Sequence, residues 1–61
     1  MSIKATVNLI EVNDRIKPIT REFDNERHIY HFKNHAINYW PNIKGLDSVV
    51  DDKGNDITKD I

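Results

Sequence analysis

Three histidines, His28, His31 and His35, fall within the stretch RHIYHFKNH, in a chain of 61 residues that has no cysteine. Their spacing of three and four matches the turn of a helix. With Asp24 four residues ahead of His28, a helix would align all four groups within about 60° of arc. Neutral imidazoles at i and i+4 can converge on one ion, so the stripe Asp24, His28, His31, His35 is a candidate metal site for zinc or nickel. No glutamate follows a histidine in the H-E-x-x-H manner, and no second carboxylate completes the set. The reading preferred here is therefore the wet flank of a helix.

Other chemistry is excluded more firmly. Without cysteine there is no disulfide framework, no zinc-thiolate finger and no thiol nucleophile. The chain has no phosphate-binding glycine loop and no G-x-S-x-G. Ser2 stands where very small tautomerases carry a catalytic proline. The acidic turn DDKGND fails as a calcium loop, because Lys53 falls at the third position and Asp56 at the sixth, where a ligand and a glycine are needed. No catalytic residue and no cofactor is expected, and no small-molecule substrate is indicated.

Nucleic-acid binding has a modest basis. Lys4, Arg15, Lys17, Arg21 and Lys33 would have to form one surface, with Tyr30, Phe32, Tyr39 and Trp40 free to stack on bases. The aromatic residues lie at core spacing, and acidic residues alternate with the basic ones. Residues 1–46 carry seven Lys and Arg against five Asp and Glu, whereas residues 47–61 carry two against five. That acidic end opposes a general nucleic-acid sleeve. Pro18 also interrupts the segment that would hold the first helix of a ribbon-helix-helix.

The elements that position these groups follow from periodicity. In IKATVNL, Ile3, Ala5, Val7 and Leu9 share one face and Lys4, Thr6 and Asn8 the other, the pattern of a half-buried strand. The phase changes at Ile10 and Val12, which predicts a bulge near Leu9 and Ile10 or a covered far face. Asn13, Asp14 and Arg15 read as a turn. A second strand, IKPITREF, follows at a sheet edge, because Pro18 has no amide donor. From Asp24 the period becomes helical. Asp24 or Asn25 caps, Glu26 sits in the first turn, and Pro41 marks the stop. His28, Tyr39, Phe32, Ala36, Ile29 and Trp40 fall within about 120° of arc as the core-facing stripe. A third strand is expected near 43–51, then a turn at DDKGN, with 52–61 forming a short edge strand or a frayed acidic tail.

The expected architecture is a single small α+β domain over 1–61 in two layers. An antiparallel sheet of three or four strands in ββαβ order carries one helix on one face. The expected core is Ile3, Ala5, Val7, Leu9, Ile19, Phe23, Ile29, Phe32, Ala36, Tyr39, Trp40, Ile43, Leu46 and Val50. Ile10, Val12, Val49 and Ile57 are expected on the uncovered sheet face.

A chain this short buries only about 60% of the surface that its unfolded form exposes, which favours self-association. Hydrophobic residues make up 38% and charged residues 31%, a globular balance. The apolar runs are too short for a membrane span, and the first ten residues do not read as a signal peptide. A soluble, cytoplasmic protein is expected. Abundant Ile, Asn and Lys suit an AT-rich genome, such as that of a low-GC bacterium or its phage or prophage. By elimination, the sequence reads as a small non-enzymatic interaction or regulatory module that docks on a partner protein or forms a homodimer. The candidate contacts are Trp40, Tyr39, Tyr30, Ile10 and Val12, together with the free edge of the second strand. A nucleic-acid-binding accessory protein and a histidine-stripe metal binder are the alternatives.

Overall fold

The computed structural model describes residues 2–61. Strand β1 spans Ile3–Glu11, β2 Ile16–Phe23 and β3 Ile43–Asp51, with helix α1 at Glu26–Tyr39 between β2 and β3 and a 3-10 turn at Thr58–Asp60. The sheet order is β2-β1-β3 and both pairings are antiparallel. The expected ββαβ two-layer arrangement is therefore present, with three full strands.

Between β1 and β2, the Glu11–Arg15 pair closes a three-residue turn, Val12 to Asp14. The Glu11 amide donates to the Arg15 carbonyl (2.7 Å) and the Asp14 amide to the Glu11 carbonyl (2.8 Å). Asp14 has φ 70, so the turn ends on a left-handed residue, a position that aspartate tolerates. The same construction recurs after β3. The Asp51 amide donates to Asn55, the Gly54 amide donates to Asp51, and Gly54 takes φ 86. This second turn folds the chain back so that Val50 bridges Asp56 and the Ile57 amide donates to Val49 (2.8 Å). The return strand ends there, because the Val49 amide donates to the Thr58 hydroxyl (2.9 Å) instead of to a backbone carbonyl.

Asp51 and Asp56 hold this C-terminal hairpin. The Asn55 amide donates to Asp51 (2.8 Å), supported by the Lys53 amide (2.9 Å), and holds the Asp51 carboxyl below its ordinary value. The Thr58 hydroxyl and amide do the same for Asp56. Folded values below the unfolded ones mean that this contribution is present above the ordinary aspartate pKa and is lost as pH falls through the folded values. An amide NMR titration from neutral pH to about pH 2 should show Lys53, Asn55 and Thr58 moving as the two carboxylates protonate. Invariant amide shifts across that range would contradict the role given to these bonds.

Asn25 is the cap of α1. Its side chain accepts from the His28 amide (3.0 Å), and Asp24 is left outside. At the other end, Pro41 disfavours helical backbone at Trp40, which is extended at φ −81 and ψ 124. Ala5, Val7, Leu9, Phe23, Ile29, Ala36, Ile43 and Val49 form the buried core between helix and sheet.

Three expectations need correction. Val49 is fully buried, whereas Val50 lies on the other face. The register shifts between Asn8 and Leu9 and between Ile10 and Glu11 leave Asp47 and Lys44 as extra residues on β3. The extra residue at Asp47 reverses the phase after Leu46 and turns Val49 inward. The bulge expected near Leu9 and Ile10 thus has its extra residues on the partner strand. Tyr39 is 74% exposed, while Ile37, not expected in the core, packs against it. The buried helix face is rotated by about 50° from the expected stripe, leaving Tyr39 and His28 on the wet side. Ile57, placed on the open face by the sequence reading, also packs against the core.

Candidate interaction surface

The histidine stripe lies on α1 well away from the core, and all three histidines are exposed. Each ring is engaged by a different neighbour. His28 Nδ1 lies 3.4 Å from an Asp24 carboxylate oxygen, His31 sits edge-on to Tyr30, and His35 tilts over Tyr39 at 5.0 Å. Among the described residues no group of three His, Asp or Glu is arranged to share an ion.

The candidate aromatic contacts separate in the same way. Trp40 is half-buried, with its ring edge-on against Phe32 at 5.7 Å, and Phe32 in turn packs on Phe23. It acts as a core-side residue. Tyr30 is 44% exposed beneath the Lys33 ammonium, which sits 4.5 Å from the ring centre. Tyr30 and Tyr39 are nine positions apart, about half a turn out of phase, so they project from opposite flanks and build no common patch.

The basic residues also fail to converge. Lys4 pairs across from Glu22 on the open sheet face, whereas Arg21 lies on the helix side with its guanidinium 5.2 Å from the Phe32 ring centre. Lys44 pairs with Asp14 of the first turn. Comparison with protein-family models, curated proteins and solved structures finds no match to this chain. Function has to be read from the surface itself.

That surface is the sheet face opposite α1. Its middle is polar and internally paired, with Thr6 bonded to Thr20 (2.9 Å) and the Asn8 amide group donating to Ser48 (3.1 Å). At the end near the first turn it becomes apolar. The three-residue turn sets Ile10 opposite Ile16, and β3 places Gly45 on the other side of Ile10. Ile16 is 46% exposed, and Val12, at the turn, is 58% exposed. Pro18, two residues along β2, extends the apolar surface.

Sequence reasoning found Ile10 and Val12 here but missed Ile16 and Gly45. The signal that would have found them is the turn length. Placing the turn at residues 12–14, with Asp14 left-handed, makes the Ile10–Ile16 pairing a geometric consequence.

The free edge of β2 is less suited to strand addition than the sequence reading held. Because Glu11 bonds Arg15, strict alternation makes Asn8–Pro18 a non-hydrogen-bonded pair. The nitrogen of Pro18 therefore faces outward, in the row shared by Ile16, Thr20 and Glu22, where it removes a donor from the middle of the edge. This is a common protection against edge pairing. On the other edge, the segment around Asp56 covers part of β3.

Proposed function

We propose that the protein is a non-enzymatic interaction module whose working surface is the apolar end of the open sheet face. The observation that carries this reading is the pair Ile10 and Ile16 on the layer that no helix covers, with the exposed Val12 at the adjoining turn, in a chain whose other polar and aromatic groups are dispersed. Exposed aliphatic side chains gathered at one place mark protein contacts more often than scattered ones do. Adjacent polar side chains already bonded to each other lower the cost of drying the surrounding surface.

Nucleic-acid binding would require the basic residues on one surface, and metal binding would require the imidazoles to converge. Neither arrangement supports those readings as well. No helix among the described residues is long and apolar enough to cross a membrane.

The test is positional. A photoreactive side chain placed at Ile16, and separately at Tyr39, is activated in cells that produce the protein. The reading expects protein adducts from position 16 and few from position 39. Adducts from position 39 alone, or none from either, would overturn it.

A further inference from the structure

We infer that the occupant of this face is a second copy of the chain, packed sheet to sheet about a two-fold axis running along β1; this rests on the reading of the open face as the working surface. The argument lies in the row formed across the sheet by Ile16 on β2, Ile10 on β1 and Gly45 on β3. The row runs from a large side chain through a second large one to none.

A two-fold axis along β1 lays Ile10 against its own copy. It also sets Ile16 of each chain over Gly45 of the other, so the projecting side chain meets the gap. A Cβ built at Gly45 has nothing within 4 Å, so the hollow is open in the single chain, and the backbone there needs no left-handed conformation. An axis across the middle of the strands would instead press the isoleucines onto Lys4 and Glu22 of the mate, setting each apolar side chain against a charge. The apolar row therefore favours the first arrangement.

Sheets packed face to face cross at about 30°, so the axis passes by Ile10 about 15° off the direction of β1. Lys4, about 20 Å along β1 from Ile10, then lies about 10 Å aside from its symmetry mate, which keeps the like charges apart. Three strands of about eight residues offer a face of roughly 26 by 14 Å. With side-chain relief that is roughly 600 Å² per copy, at the small end of specific interfaces. The dimer should accordingly be weak, forming over micromolar to millimolar concentrations.

Sedimentation equilibrium across that range tests the inference, with Gly45→Val and Ile16→Thr as variants. Wild type should approach the dimer mass. Gly45→Val should keep the dilute-solution unfolding midpoint while weakening association by roughly ten- to a hundredfold, because a side chain now fills the hollow. Ile16→Thr should weaken association from the other side of the same contact. A wild type that stays monomeric throughout, or association that persists unchanged in both variants, would overturn the inference. If the wild type is monomeric but position 16 still yields adducts with other proteins, the second copy is ruled out and the interaction surface stands. Loss of both results removes the surface as well.

Discussion

Ile29→Ala is expected to cost about 2–5 kcal/mol, whereas Tyr39→Ala should stay within about 0.5 kcal/mol of wild type. Both residues fall on the helix stripe that sequence periodicity marks as core-facing, yet Ile29 is fully buried and Tyr39 is the most exposed large apolar side chain among the described residues. A domain of 61 residues holds on the order of 3–9 kcal/mol in total, so the first change should leave much of the population unfolded. Ile29 packs in a cluster with Val7, Leu9, Phe23 and Val49, side chains already in place in the core, so the cavity left by truncation closes only in part. Urea unfolding followed by far-ultraviolet circular dichroism measures both variants. Equal losses would show that the helix is rotated toward Tyr39 and would contradict the packing described.

A second contrast concerns the neighbouring valines of β3. Val49→Lys should abolish folding, because an ammonium placed among Val7, Leu9 and Ile29 loses its hydration with no carboxylate to receive it, a cost of several kcal/mol even after relaxation. Val50→Lys should be nearly neutral. It lies on the open face, directly across from Asp56, where a positive charge meets an acidic segment. The comparison reads the bulge at Asp47 directly, since a regular strand continued from Leu46 would exchange the two outcomes. Amide NMR dispersion of the two variants is sufficient to decide it.

These contrasts also mark what the sequence could and could not disclose. β1 was legible because Ile3, Ala5, Val7 and Leu9 alternate with polar residues, and that alternation is the geometry of a sheet covered on one side. The helix ends were legible because Asn25 and Pro41 act locally. β3 was legible as a strand but not in phase. Nothing in GLDSVV distinguishes a regular strand from one with an extra residue at Asp47, because the bulge is fixed by pairing with β1. The rotation of α1 was hidden for a related reason. Tyr39 and Ile37 lie on opposite margins of one apolar arc, and the sheet beneath decides which margin is buried.

The candidate site followed the same division. Ile10 and Val12 were visible as a break in alternation. Ile16 and Gly45 join them only through register, set by the turn on one side and by the long-range β1–β3 pairing on the other. The histidine stripe shows the converse. Spacing alone put His28, His31 and His35 on one flank of the helix, with Asp24 lying just before its cap, but spacing does not bring exposed rings together. His28 turns to Asp24, His31 to Tyr30 and His35 to Tyr39.

The central claim is that the Ile10 end of the open sheet face binds a second copy of the chain. The most direct measurement is a residue-resolved amide NMR comparison of dilute and concentrated protein. The account predicts concentration-dependent shifts centred on Ile10, Val12, Ile16 and Gly45, fading toward Lys4 and absent from the exposed face of the helix. Shifts centred instead on His28, His35 and Tyr39, or spectra that superimpose at every concentration, would contradict it.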